Sequence, residues 1–298
     1  MEKTLIVITG PTGVGKTETA IRLAEELNTE IISADSRQIY RGIPIGTAAP
    51  TPEELARVKH HFIQTLNLDQ YYSAAQFECD VMQLLPKLFK AHDAVVLCGG
   101  SMLYVDAVCN GIDEIPTISD EVRIAAYKLY DDVGLEGIAK RLIEVDPEYY
   151  EIADKQNAKR LIHALEIYMQ AGVPFSSLRT GKAKQRPFRI LKYGLNLPRE
   201  ALFERINHRV DHMIELGLEN EARSVYELRN LNSLNTVGYK EMFAYFDGTM
   251  DFITARERLK KNTRVFAKKQ LTWMAKDKNI IATSPIDAFN FITSNLYK

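Results

Sequence analysis

The sequence predicts an α/β fold in which a parallel sheet is flanked by helices and interrupted by a helical insertion. Three observations lead there. From the N-terminus to about Asn110, strand-like and helix-like segments alternate, the pattern of a sheet covered by helices. The first strand runs straight into GPTGVGKT, Gly10 to Thr17, whose G-x-x-x-x-G-K-T spacing marks a P-loop NTPase-like core. Residues from about Ile115 to Arg186 carry helical periodicity and no convincing strand. The chain is therefore divided into a core of residues 1–114 and 188–298 and an insertion of residues 115–187.

Each element has its own justification. Leu5-Ile6-Val7-Ile8 is a short β-branched-rich run ended by Gly10 and Pro11, as in a buried parallel strand. Thr17 opens the periodic segment Thr19, Ala20, Ile21, Leu23, Ala24, Leu27, an amphipathic helix. Ile31 to Ala34 reads as a second strand and Ala94 to Leu97 as a third, ending in Gly99-Gly100. In the insertion, helices are expected over Asp120–Asp132, Leu135–Val145, Pro147–Ala153 and Asn157–Ala171. Arg189 to Leu195 resumes a strand, and Pro198 is expected in the first turn of a long helix. The remainder reads as helical.

Bulk properties exclude several function classes. The 298 residues carry a net charge of −1, with 46% hydrophobic and 26% charged residues. No global basic signature exists, so contact with nucleic acid requires local clusters of cations. Cys79, Cys98 and Cys109 are too few and too irregular for a disulfide framework or a four-thiolate zinc site. The N-terminal apolar run is too short for a signal peptide, and no window approaches the roughly 18 apolar residues of a membrane span. His60-His61 lacks a third ligand at suitable spacing. A cytoplasmic, monomeric protein without membrane association is expected.

The residues that bear chemistry gather at one predicted edge. Ligands of parallel α/β sheets sit beyond the carboxyl ends of the strands, where Gly10–Thr17, Asp35 and Gly99-Gly100 all fall. The loop of Gly10, Pro11, Thr12, Gly13, Val14, Gly15, Lys16 and Thr17 turns successive N–H groups onto an anion. The helix that follows adds the positive end of its dipole. Lys16 supplies a point charge, and the Thr17 hydroxyl is placed for a phosphate oxygen or Mg²⁺. Asp35, followed by Ser36, Arg37 and Gln38, is the acid placed to orient or deprotonate a nucleophile. The strand over Ala94–Leu97 runs into Cys98-Gly99-Gly100 and lacks the acid that ATP-hydrolysing enzymes use for Mg²⁺. A small-molecule or nucleoside kinase remains the alternative, as does a nucleic-acid-binding regulator without catalysis.

Two basic clusters stand out. Arg179, Lys182, Lys184, Arg186, Arg189 and Lys192 form six cations with no acid among them. Arg256, Arg258, Lys260, Lys261, Arg264, Lys268, Lys269, Lys276 and Lys278 form nine, against Glu257 and Asp277. Either alone reads as a solvated helix face; together they suggest a groove for a phosphate backbone. Phe266 and Trp273, seven residues apart, have the spacing of a helical core stripe.

With these pieces located, the sequence resembles the tRNA dimethylallyltransferases, isopentenyl transferases that modify an adenine next to the anticodon. The resemblance rests on GPTGVGKT (10–17), ISADSRQIYRGIPIGTAAP (32–50), HHF with YYSAAQF (60–77), GGSMLYVDAVCNG (99–111), NAKRLIHALEIY (157–168), TVGYKEM (236–242) and AKKQLTW (267–273). It implies transfer of the dimethylallyl group from dimethylallyl diphosphate to N6 of the adenine 3′ of the anticodon. Asp35 would then be the base, and Lys16, Thr17, the loop amides and Mg²⁺ would hold the departing diphosphate. The resemblance also implies that an arginine on the helix after the insertion reaches the diphosphate, and Arg205 and Arg209 are both candidates. On the tRNA side, the anticodon stem-loop is implied to meet Asp35, Ser36, Arg37, Gln38, Ser101, Arg123, Lys159, Arg160, Leu161, Ile162 and His163. Lys182, Lys184 and Arg186 are added from the basic cluster, and the insertion is implied to be a mobile tRNA-binding part. Ser101 replaces the family's frequent Thr, and Lys269 its frequent Arg.

Overall fold

A computed structural model describes residues 2–296. Its contacts separate a unit running to Cys109 and resuming at Arg186 from a second unit, Asn110–Gln185.

In the first unit, β1 (Thr4–Thr9) leads through the glycine-rich loop into α1 (Lys16–Glu26). There follow β2 (Ile31–Ser33), α2 (Pro44–Thr47), α3 (Pro52–Arg57), β3 (His60–His61), α4 (Ala74–Ala91), β4 (Ala94–Cys98) and α5 (Met102–Asn110). The second unit holds α6 (Asp120–Val145), α7 (Pro147–Ile152), α8 (Ala158–Ala171) and α9 (Phe175–Leu178). The chain then returns as β5 (Arg189–Leu195), α10 (Arg199–Glu215), α11 (Leu218–Ser224), α12 (Tyr239–Phe246), α13 (Phe252–Met274), β6 (Ile280–Thr283) and α14 (Ala288–Leu296).

The six strands are ordered β3-β2-β4-β1-β5-β6, and every pairing is parallel. The expected sheet is thus present, and β1 lies in its interior between β4 and β5. Leu5, Ile6, Val7 and Ile8 are all 0% exposed, each contributing about 1.5–3 kcal/mol of apolar burial. That burial on both faces is why β1 reads as an uninterrupted apolar run. Ala20, Ile21, Leu23 and Ala24 form the buried stripe of α1 and join Ile6, Ile8 and Val96 in one core cluster.

A second cluster in this unit packs Ile39, Tyr40 and Ile43 against Val210, Leu218, Tyr239, Met242 and Leu259. It secures the chain just after Asp35 to the helices that follow β5. Glu221 strengthens this joint: its carboxylate accepts the Ile45 and Gly46 N–H groups at 2.8 and 2.7 Å and the Tyr239 hydroxyl at 2.5 Å. A Cβ on Gly46 would lie 2.5 Å from the Tyr239 hydroxyl, so glycine is required for close approach.

Two expectations need correction. The edge strands β3 and β6 are absent from the sequence reading, since one is a two-residue His-His segment and the other is half-exposed. Pro198 caps α10 from outside, with φ −50° and ψ 139°, instead of occupying its first turn. The two helices expected over Asp120–Asp132 and Leu135–Val145 are present within α6, divided at Gly134, where φ 65° and ψ −171° leave the helical region. In the second unit α6 and α8 pack through Ala126, Ile138, Leu142, Leu161, Ile162 and Leu165. Among the described residues no helix is long and apolar enough to cross a membrane.

Candidate active site

The glycine-rich loop takes its form from α10 as well as from its own sequence. Gly13 and Gly15 have φ +81° and +104°, values that L side chains resist. A Cβ on Gly13 would lie 3.0 Å from Ile206, and one on Gly15 would lie 3.4 Å from the Arg205 guanidinium. Ile206 belongs to the buried face of α10 with Leu202, Val210 and Met213. Arg205 and Arg209 are one helical turn apart and therefore share a face.

The structure distinguishes these two arginines by position. Arg205 is exposed beside Gly15. Arg209 is partly buried, and loss of hydration lowers its pKa while the Asp35 carboxylate opposes that shift. Lys16 donates to the Gly10 and Pro11 carbonyls at 3.0 and 2.9 Å. Burial brings its pKa down to about 8, with Arg209 pressing in the same direction and Asp35 in the other. Lys16, Asp35 and Arg209 thus lie in one field at the carboxyl edge of the sheet. Cys98 shares it as a neutral thiol, pushed up to about 12 by burial.

Asp35 is placed by a short turn after β2. Its Oδ1 accepts the Arg37 and Gln38 N–H groups at 2.9 and 3.2 Å, which fixes the carboxylate by one oxygen. The neighbouring residues brace this turn. Ser101 Oγ accepts the Ser36 N–H at 2.8 Å and meets the Ser36 hydroxyl at 3.2 Å. Arg37 donates to the Asn232 and Ser233 carbonyls at 2.7 and 3.1 Å, and Gln38 to the Ala48 carbonyl at 2.9 Å. Gly99 is needed here because a Cβ would come 2.1 Å from the Ala34 carbonyl oxygen.

Sequence reasoning missed Gln270, whose side chain joins the phosphate loop to the Gly99–Ser101 loop. Its Oε1 accepts the Thr12 N–H and its Nε2 donates to the Gly100 carbonyl, both at 2.8 Å. The only signal was its place in AKKQLTW, within a helix read for its cations. Three residues on, Trp273 Nε1 donates to Asp106 at 2.8 Å, so that ring is anchored. Phe266, expected on a core stripe, is instead 38% exposed.

The cations separate into outward and inward sets. Arg186 is turned inward, pairing with Glu78 at 2.8 Å and donating to the Ala107 and Val108 carbonyls. Lys192 is buried against Asp277, and Lys260 against Asp211. These three leave the solvent-facing set that charge counting suggested. Lys182 and Lys184 are exposed, as are Arg258, Lys261, Lys268, Lys269, Lys276 and Lys278.

In the second unit Lys159, Arg160 and His163 are exposed on α8, whereas Leu161 and Ile162 are buried and fill the core of that unit. Their side chains are thus withdrawn from the set expected to meet RNA, because successive residues of a helix point to different faces. His163 Nδ1 lies 3.1 Å and Arg123 Nε 3.9 Å from the buried Glu166 carboxylate. His60 and His61 lie on β3, where His61 meets Glu30.

Comparison with known proteins finds the sequence profile of the IPP transferase family matching residues 38–277. The chain is 54% identical over 285 residues to tRNA dimethylallyltransferase 1 of Phocaeicola vulgatus, covering 96% of this chain and 95% of that protein. To tRNA dimethylallyltransferase 1 of Bacteroides fragilis it is 55% identical over 278 residues, 93% and 92% of the two chains. The crystal structure of full-length tRNA isopentenylpyrophosphate transferase from Bacillus halodurans superposes with a TM-score of 0.72 at 34% identity, covering 99% and 97%. A eukaryotic dimethylallyltransferase captured acting on tRNA shares the fold, with a TM-score of 0.83 at 24% identity over 99% of this chain and 77% of that one.

Proposed function

The chain belongs to the IPP transferase family, and from that premise we propose that it transfers the dimethylallyl group of dimethylallyl diphosphate to N6 of the tRNA adenine 3′ of the anticodon. The observation that supports this reading is the shared field of Lys16, Asp35 and Arg209, an anion cradle with a carboxylate close to it. The cradle suits a leaving diphosphate, and the carboxylate suits an incoming amine.

In this reading the bond that breaks is the allylic C–O bond, and its electron pair leaves with the diphosphate. Lys16, Arg205, Arg209 and the N–H groups of Gly13, Gly15, Lys16 and Thr17 would stabilise the charge that develops there. The Thr12 and Val14 N–H groups are already engaged, by Gln270 and by the Pro11 carbonyl, and are left out of that set. The adenine N6 lone pair forms the new C–N bond and the nitrogen gains positive character. Asp35, held by one oxygen, accepts the proton released. The adenine must leave the anticodon stack to react, and exclusion of water then protects the allylic carbon from hydrolysis.

The donor set also suits Mg²⁺. The Thr17 hydroxyl at the start of α1 offers one neutral oxygen, and a diphosphate supplies the remaining anionic ones, as Mg²⁺ prefers. Bound there, the ion supplies counter-charge to the departing diphosphate. Lys182, Lys184, Arg123, Lys159, Arg160 and His163 are the exposed groups proposed to meet the tRNA.

The experiment combines the protein with Mg²⁺, labelled dimethylallyl diphosphate and unmodified tRNA, and maps the labelled nucleoside. Label on N6 of the adenine 3′ of the anticodon is the expected result. Phosphorylation of a metabolite, with no label in tRNA, would reverse the assignment.

A further inference from the structure

Gln270 is 3% exposed on α13, and its amide spans two loops that the proposed reaction needs at a fixed separation. One is the phosphate loop, touched at Thr12, and the other is Gly99–Ser101, touched at Gly100. A Cβ on Gly100 would lie 2.4 Å from Gln270 Nε2, so the amide fills the space that the glycine leaves. The second loop continues to Ser101, whose hydroxyl accepts the Ser36 N–H next to Asp35. A short chain of hydrogen bonds therefore runs from the loop that grips the diphosphate to the turn that carries the base.

We propose that Gln270 is a positioning residue that sets the gap between the leaving group and the acceptor amine by tying Thr12 to Gly100. The inference rests on the transferase reading above. Its chemistry is directional. The Thr12 N–H requires an acceptor and the Gly100 carbonyl requires a donor, and a primary amide offers one of each. A carboxylate has no proton to donate and would set an anion against the Gly100 carbonyl and beside the diphosphate. A protonated carboxyl restores the pattern, with its carbonyl accepting from Thr12 and its hydroxyl donating to Gly100.

Single-turnover transfer at saturating dimethylallyl diphosphate and tRNA tests the proposal. At neutral pH, Gln270→Glu is expected to lower the rate about 10²-fold, the scale of a misplacement near 1 Å, with tRNA affinity unchanged. Burial raises the introduced carboxyl's pKa and the Lys16 ammonium, whose Nζ would lie 3.4 Å from a Cβ on Gly100, lowers it; in either balance the rate of this variant relative to wild type should climb as pH falls through that pKa. A merely structural role would scale activity by a constant active fraction and leave that ratio flat. Gln270→Met, which keeps the volume and loses both hydrogen bonds, should be slow at every pH and serves if Gln270→Glu fails to fold. Rates within about threefold of wild type for either folded variant, or a flat ratio across pH for Gln270→Glu, would overturn the proposal. Wild-type transfer in the same assay tests the underlying reading separately.

Discussion

The pH dependence of diphosphate use follows from the state of Lys16. Its ammonium is held at the loop by the Gly10 and Pro11 carbonyls, yet loss of hydration lowers its pKa from 10.5 to about 8. If the charged form grips the diphosphate, kcat/KM for dimethylallyl diphosphate follows the protonated fraction of the free enzyme. That fraction is about 0.9 at pH 7 and about 0.1 at pH 9 for a pKa of about 8, so kcat/KM should fall about tenfold between them. A lysine at its ordinary pKa would lose almost nothing over that interval. The bound diphosphate opposes deprotonation, so the limb in kcat should lie at higher pH than the limb in kcat/KM.

Initial rates with varied dimethylallyl diphosphate at saturating tRNA, from pH 6.5 to 9.5, measure both limbs. Lys16→Arg gives the decisive control, because a guanidinium stays charged throughout; its plateau should be lower and its profile flat. Persistence of the limb in Lys16→Arg would show that another group titrates, and a flat wild-type profile would show that Lys16 does not titrate near 8 in the free enzyme. Stability has its own sign. Between the folded pKa of about 8 and the unfolded 10.5, the unfolded chain binds more protons, so this group's contribution to stability rises with pH across that window. Below it, the full cost of burying the ammonium is present.

Asp35→Asn should cut turnover by about 10²–10⁴-fold with tRNA affinity intact in a binding titration, and normal turnover would remove Asp35 as the base. Arg209→Ala removes a positive neighbour that lowers the Lys16 pKa, so the alkaline limb of kcat/KM should move to higher pH while KM for the diphosphate rises; an unmoved limb would refute the shared field. Arg186→Met removes the guanidinium that pairs with Glu78 and donates to the Ala107 and Val108 carbonyls and should cost a few kcal/mol, on the order of 1.5–3 for a hydrogen bond to a charged group, seen as a lower thermal midpoint. Lys182→Ala should instead spare the midpoint and reduce the slope of log affinity against log salt by about 1, an unchanged slope returning it to the solvated face.

The parts of this molecule legible in its sequence are those that local physics determines. β1, α1 and β4 are continuous apolar runs or clear periodic stripes bounded by glycines, and they appear where expected. β3 and β6 escaped because a short edge strand needs neither an apolar run nor strict alternation. Charge counting misassigned Arg186 and Lys192 because their acids, Glu78 and Asp277, are far away in the sequence. Leu161 and Ile162 were grouped with Lys159 to His163 as one linear stretch, whereas the helix divides that stretch between core and solvent. Gln270 was illegible for the same long-range reason: its partners stand 258 and 170 residues away in the chain.

A phosphate loop by itself does not decide which bond of its ligand breaks. Its N–H groups and Lys16 stabilise negative charge on a diphosphate whether phosphorus or carbon is attacked. The rest of the edge supplies the choice. In phosphoryl transfer a second acid beside the loop commonly holds the metal; here the strand beside β1 ends in Cys98, a thiol kept neutral by burial. The carboxylate in the same field, Asp35, belongs to a turn braced through Ser36, Ser101 and Gly100 to Gln270, and so to the loop itself. A base tied to the cradle through a rigid bridge is suited to a nucleophile that approaches the organic end of the ligand, since the separation then spans the allylic group. In the proposed reaction the loop stabilises a departing anion, and the outcome is set by what stands opposite it.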